Sequence, residues 1–301
     1  MLHRPLLASF VLPFVVAVSV GACAASRTGQ PSVTDAAPPE AEHPLRAETP
    51  RDGASTPPLS QRIAEDLTVR RLRDGVYVVT HSFPWAANCL VVDVDGDDVL
   101  LVDTPYTPEA TEQLLQWVEA ELGSQRVTAI VTGFHHDNLG GTEALVRRGI
   151  PVHGSNETAR LLAERGDALR SMTLEWLSSP ELKRFRDVHE ALPYVPPTQR
   201  FSLQEGLTLV FGKEQVQVHY PGPSHSPDNV VVYFPDRRVL FGGCAVIGMD
   251  RVGNTSDADL EAWPTAVESL RQFDAELVIP GHGDRTDPGL IDYTVRLLRG
   301  N

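Results

Sequence analysis

The amino-acid sequence predicts an α/β domain in which two β-sheets pack face to face with helices outside. Three observations lead there. From about Thr68 the chain turns into short β-rich runs divided by polar or Gly/Asp turns, the texture of paired strands. Strand-like runs then alternate with amphipathic helical patterns, so part of each sheet is built from strand–helix units. The second half repeats that order without close sequence identity to the first. At 301 residues and 42% hydrophobic content, the chain has enough apolar material for a real core.

The elements follow in order. "VYVVT" (76–80), "CLVVDV" (89–94) and "DVLLVDTP" (98–105) are strands, and "DGDD" between the last two is a hairpin turn. "TPEATEQLLQWVEAELG" (107–123) is a helix, with a Thr-Pro start, apolar residues spaced by three and four, and a glycine stop. "VTAIVT" (127–132) is a strand, "LGGTEALVRRG" (139–149) a helix, "PVHG" a short strand and "NETARLLAERG" (156–166) a helix. "LTLVFGKEQVQVHYPG" is a strand pair turned at Gly212-Lys213, and "NVVVYFPDRRVLFGG" another turned at Pro235-Asp236. The helix "LEAWPTAVESLRQF", the strand "AELVIPGHG" and a last helix complete the chain. Residues 166–197 separate the halves, either as a linking helix pair or as part of a substrate wall.

The N-terminal segment stands apart from this fold. Residues 1–23 carry an arginine near the start and an apolar run from Leu6 to about Ala22, the shape of a secretory signal. "VGAC" resembles a bacterial lipobox, which makes Cys23 the lipidated first residue of a mature chain tethered to the membrane in the periplasm. Ordinary cleavage near Ala22 to Ala25 and an uncleaved membrane anchor are the alternatives. Residues 24–62 are rich in Pro, Ala, Ser and Thr, with too little apolar surface to offset the entropy of ordering them. They read as a tether, and residues 63–301 as the folded domain. The net charge of −14 argues against a nucleic-acid partner. Three cysteines, Cys23, Cys89 and Cys244, cannot make a disulfide framework.

Metal-ligand residue types gather where strands run out into loops. His135 and Asp137 follow "VTAIVT", His225 follows "VQVHYPGPS", Cys244 follows "VLFGG" and His282 follows "LVIPG". Zinc takes His nitrogen, Cys sulfur and carboxylate oxygen, and a catalytic zinc keeps one position open. One aspartate, one cysteine and one histidine fit that description. Any one of these residues alone reads more simply as a loop histidine or a buried thiol; the five strand-end positions together carry the reading. His81, His153, His189 and His219 are assigned no role, and Cys89 is core. Period-two alternation places 133, 135 and 137 on one face and points His136 away from it.

With these segments in hand, the chain resembles a class B metallo-β-lactamase. The matching stretches are "VLLVDTP", "HHDNLGG", "VHGSNETARLLAERG", "YPGPSHSPDNVVVYFP", "VLFGGC", "GNTSDADLEAW" and "VIPGHG", spread over about residues 68–298. The resemblance implies the αββα metallo-β-lactamase sandwich and zinc-dependent hydrolysis of β-lactams by a monomer. It implies one zinc held tightly by Asp137, Cys244 and His282. A neighbouring three-histidine site keeps His135 and His225 but has Gly133 where its first histidine belongs, so a second zinc is expected to be weak or absent. In the family's single-zinc branch an asparagine occupies that position. Asn138 and Cys244 separate the chain from glyoxalases, nucleases and lactonases of the same fold. Asp137, His135, His225 and Asn254 are implied as catalytic. Asp137 or His135 would accept a proton from the attacking water, and Asn254 would donate to the developing oxyanion. Ile247 stands where the two-zinc branch has a carboxylate-binding lysine, which leaves Arg251 for that role. The flap between the first strands is short, with Phe83, Pro84 and Trp85 as its apolar lip. Two other readings stay open at this point: a hydrolase of the same fold acting on another amide or ester, and a zinc-binding envelope lipoprotein with little catalysis.

Overall fold

A computed structural model of the protein describes residues 60–123 and 126–300. The signal segment, Cys23 and most of the tether lie outside the described residues. Strands β1 (Ser60–Arg62), β2 (Leu67–Arg73), β3 (Val76–Ser82), β4 (Ala86–Asp95) and β5 (Asp98–Val102) form an antiparallel meander. Helix α1 (Pro108–Leu122) leads into β6 (Arg126–Ile130). Short helices α2 (His136–Leu139) and α3 (Thr142–Arg147) precede β7 (Val152–Ser155). The long helix α4 (Asn156–Trp176), α5 (Lys183–Ala191) and β8 (Gln199–Phe201) close the first half. The second half contains β9 (Leu207–Phe211), β10 (Glu214–His219), β11 (Val231–Phe234), β12 (Val239–Ile247), α6 (Trp263–Ser269), β13 (Leu277–His282) and α7 (Leu290–Leu298). The strands make two sheets, ordered β1 to β8 and β13-β12-β11-β10-β9.

Strand β4 shows why the layers stack as they do. Cys89 and Val91 point outward into a cluster with Leu114, Leu115, Trp117 and Val118 of α1. Leu90 and Val92 point inward, against Val216, Val218, Val232, Phe234 and Phe241 of the other sheet. A strand covered on both faces reads as a continuous apolar run, as "CLVVDV" does. Each such leucine, fully removed from water, contributes on the order of 1.5–3 kcal/mol. A third cluster, with Val231, Leu240, Trp263, Val267 and Leu290, packs α6 and α7 on the outside of the second sheet. The result is the expected helix–sheet–sheet–helix sandwich.

Local chemistry sets the helix ends. Thr107 accepts a hydrogen bond from the Ala110 amide at 3.1 Å, with Pro108 in the first turn, and Gly123 ends α1 at φ +63°. Ser155 caps α4 in the same way, accepting from Thr158 N at 2.9 Å.

Four boundaries differ from the sequence reading. Ser60–Arg62 pair with β2, so the fold takes in the last residues assigned to the tether. The helix expected over 139–149 is two, because the chain at Gly140 and Gly141 runs against Tyr106, Pro105 and Thr111 too closely for any Cβ. Helix α4 continues ten residues beyond Gly166 to Trp176, with the Tyr194 ring packed beside that glycine. Most consequentially, β6 ends at Ile130. Thr132 gives its amide to the Asp103 carboxylate at 2.7 Å, and its carbonyl accepts from Val230 N at 2.9 Å. His135 therefore caps α2 and Asp137 lies in its first turn, so strand alternation does not govern this segment.

Candidate metal centre

Loops at one end of the two sheets deliver the candidate residues to one cavity of about 700 Å3. His135, Asp137, His225, Cys244, His282, Arg251, Asn254 and Trp85 all line it. The sequence reading named these eight, and the fold brings them together.

Asp137, Cys244 and His282 form the tightest group. Asp137 Oδ2 lies 2.9 Å from His282 Nε2 and 3.5 Å from Cys244 Sγ, and the sulfur lies 3.9 Å from His282 Nε2. Ligands at zinc's usual bond lengths in a tetrahedron stand about 3.3–3.6 Å apart, so a small adjustment of this triangle accommodates the ion. The electrostatics agree. Burial alone would raise the Asp137 pKa, but the hydrogen bond and charge of His282 outweigh it and hold the carboxyl well below its usual range. Burial, and then Asp137, push the Cys244 thiol well above its ordinary pKa. Burial disfavours charge on His282, but Asp137 prevails and raises its pKa. An ionised carboxylate beside a thiol that cannot easily ionise is a site short of positive charge, which a divalent cation supplies.

Neighbouring groups fix the donors. His282 Nδ1 donates to Ala86 O at 2.7 Å, which leaves Nε2 as the nitrogen facing the group. Asn138 Nδ2 lies 3.6 Å from Cys244 Sγ and donates to Asp103 Oδ2 at 2.9 Å. Asp103 is buried at φ +60°, a strained backbone for a non-glycine residue. Burial lifts its pKa to about 7 although Thr132 and Asn138 donate to its oxygens.

His135 and His225 sit apart from the triangle, with ring centres 5.1 Å from each other. His135 Nε2 is 3.1 Å from Asp257 Oδ2, and Asp257 Oδ1 accepts from Arg165 of α4 at 2.8 Å. Burial opposes charge on His135, yet the Asp257 hydrogen bond raises its pKa. Burial, and then His135, lower His225 to about 3. The His225 ring packs on Trp263, and its Nδ1 is buried without a hydrogen-bond partner among the described residues.

Gly133 does not point a Cβ at these histidines through open space. A Cβ there would lie 2.6 Å from Asn229 Nδ2 and 3.0 Å from Asn138 Oδ1. The expectation that 133, 135 and 137 share one strand face is corrected: the segment is a loop and a helical turn, and two asparagines fill the space beside Gly133.

The rim carries the remaining candidates. Ile247 is buried against α6 and α7, so it offers the cavity no charge. Arg251 is the one arginine or lysine among the described residues lining the cavity. The Asn254 amide donates to Ser256 Oγ at 3.0 Å and accepts from Ser256 N at 3.1 Å, which leaves one N–H. Trp85 meets Trp176 edge to face, ring centres 6.1 Å apart, and each is 41% exposed. Trp176 and Leu169 make the 166–197 segment a cavity wall, one of the two readings its sequence allowed.

Sequence reasoning passed over Asp257, Arg165, Asp103 and Trp176. Asp257 stands three residues after Asn254 inside "GNTSDADLEAW", and an acidic residue in a candidate loop was the available signal. Nothing local in the sequence pairs Arg165 with it. His81 and His189, assigned no role, are buried on either side of Tyr106 beside His136. His81 Nδ1 accepts from Tyr106 N at 3.0 Å, the behaviour of a satisfied core histidine.

Fold and site together define the class: a four-layered αββα protein with a candidate metal centre at the ends of its strands. The family model described as the Metallo-beta-lactamase superfamily matches residues 83–282, and the chain belongs to that family of metal-dependent hydrolases. A metallo-β-lactamase type 2 of Pseudomonas aeruginosa is 32% identical over 237 residues, covering 76% of this chain and 83% of the relative. One from Bacteroides fragilis is 28% identical over 249 residues, covering 79% and 88%. The solved metallo-β-lactamase from Pontibacter korlensis superposes with a TM-score of 0.60 at 30% identity, covering 81% of this chain and all of that one.

Proposed function

We propose that the protein hydrolyses the amide bond of β-lactam antibiotics, using one zinc held tightly by Asp137, Cys244 and His282. The observation that carries this reading is the donor triangle in the cavity, with edges of 2.9, 3.5 and 3.9 Å. Relatives named metallo-β-lactamase type 2 at about 30% identity support the substrate class. Bound there, a zinc ion would polarise the lactam and lower the pKa of a water toward about 7.

The chain's own residues supply the rest. Asp257 holds His135 by Nε2, which leaves Nδ1 uncommitted to that carboxylate and able to orient water or take its proton. His225, kept neutral by its surroundings, offers a second such group. The remaining N–H of Asn254 can donate to the oxyanion, an interaction worth on the order of 3 kcal/mol in comparable sites. Arg251 takes the substrate carboxylate in place of the lysine that Ile247 replaces. Trp85 and Trp176 present apolar faces to the substituents of the lactam.

Hydrolysis of nitrocefin and imipenem by the zinc-equilibrated protein, before and after chelation, tests this. Turnover that chelation abolishes is expected. A zinc-loaded protein that leaves both substrates intact but cleaves simple esters or other amides would move it to another substrate class. The signal shape of residues 1–23 supports a periplasmic protein lipidated at Cys23, with a monomeric catalytic domain. Recovery of the natural protein in the soluble periplasmic fraction would remove the lipid anchor and leave the enzymatic reading intact.

A further inference from the structure

A second pair of imidazoles lies beside the candidate centre. His136 opens α2 and is 7% exposed; His189, on α5, is 1% exposed. Their ring centres are 5.0 Å apart with planes at 80°. The His135–His225 pair stands at 5.1 Å and 88°. The two pairs thus share one geometry. Imidazole nitrogens about 2.0–2.1 Å from a zinc-like ion, at a near-tetrahedral angle, put ring centres on the order of 5 Å apart.

The nitrogens of this second pair are not otherwise used. His136 Nδ1 and both His189 nitrogens are buried without a hydrogen-bond partner among the described residues. The Phe83 backbone lies beside His189 without closing a hydrogen bond. Buried polar atoms in folded proteins are nearly always paired, so three clustered exceptions ask for a ligand. His81, in the same cluster, differs, because it accepts from Tyr106 N and faces Asp66 at 3.7 Å. The remaining surroundings are aromatic. Tyr106 lies 5.4 Å from His136 and 6.0 Å from His189, and Phe83 lies 5.8 Å from His189. Tyr106 and His136 also line the cavity, which gives a small ion a way in.

We propose that His136 and His189 form a second site for a divalent cation of the borderline kind that imidazole favours, such as zinc, copper or nickel. The site is separate from Asp137, Cys244 and His282, and does not depend on which substrate the cavity takes. Two neutral imidazoles bring no anion, so it binds more weakly than the Asp-Cys-His set. An ion there joins α5 to the first turn of α2, tying the wall of the cavity to the segment that carries Asp137.

Equilibrium dialysis of the full chain against rising zinc, with bound metal counted per chain, tests the proposal. The variants are His189→Phe, which keeps an aromatic ring and removes both nitrogens, and His225→Ala. The thiolate absorption of a cobalt-substituted sample reports on Cys244. Wild type should bind one weak equivalent more than His189→Phe, or bind it at least tenfold more tightly, while the cobalt–thiolate band stays the same. If phenylalanine disturbs α5 and alters that band, His189→Gln must lose the same equivalent. His225→Ala should keep it. Equal weak binding in wild type and in the His189 variant that preserves the band overturns the proposal. So does loss of the extra equivalent in His225→Ala, which would assign it to His135 and His225.

Discussion

The two halves of the catalytic cavity are built on different terms. The Asp137–Cys244–His282 side brings an anionic carboxylate and a thiol, with each of the three within 4 Å of the others. The His135–His225 side brings two imidazoles, and its nearest carboxylate, Asp257, is already shared with Arg165. The first side needs a cation to settle its charge; the second is stable without one. Donor count alone suggests that one site is complete and the other damaged. The electrostatics go further: the second side has its own positive partner and need not hold metal to be folded.

The contrast breaks most directly at sulfur. Cys244→Ser should lose the tight zinc and lower β-lactam turnover by at least about a hundredfold, above the 10–100-fold cost of losing a ligand's supporting neighbour. Metal content and nitrocefin hydrolysis read it together. Retained zinc in that variant would make the two sides equivalent.

Acidity separates the sides next. The metal must displace protons from Cys244 and His282, whose pKa values are raised, whereas Asp137 stays ionised. Zinc affinity of the tight site should therefore fall as pH falls, about tenfold per pH unit for each proton displaced. His225, lowered to about 3, is already neutral and adds no such dependence above that range. Zinc binding in competition with a chelator between pH 5 and 8 measures the slope, and a flat profile would contradict the assignment of thiol and imidazole as ligands.

Smaller effects sharpen the histidine side. Asp257→Asn should reduce kcat about 10–100-fold with the tight zinc retained, because it releases His135 Nε2. Arg165→Ala, one contact further out, should cost only a few-fold. Equal loss of tight zinc in Asp257→Asn would merge the two sides into one unit. Smallest for chemistry is Gly133→His. The Cβ contact with Asn229 predicts that it does not rebuild a three-histidine site. Gly133→Ala already meets that contact and should destabilise the fold by about 1–3 kcal/mol, read by thermal unfolding. Asn229 Oδ1 accepts from Ser226 N at 2.8 Å, so displacing it also disturbs the loop that carries His225.

The sandwich was legible because its strands are apolar on both faces and its helices begin at Thr107 and Ser155, whose caps are local. Metal-ligand types were legible because they follow strand ends. Gly133 was misplaced because the two-residue period was carried beyond Ile130, where a side chain distant in sequence, Asp103, takes the Thr132 amide from the ladder. Asp257, Arg165 and Trp176 act across 122, 92 and 91 residues of chain, to His135, Asp257 and Trp85 respectively. No local spacing expresses contacts of that range.

Zinc counted per chain, after equilibration with a slight excess of the ion and removal of weakly held metal, tests the central claim most directly. The account predicts close to one zinc, absent from Cys244→Ser and accompanied by β-lactam hydrolysis in the wild type. Two zincs held equally tightly, or one that survives the loss of Cys244 with activity intact, would contradict it.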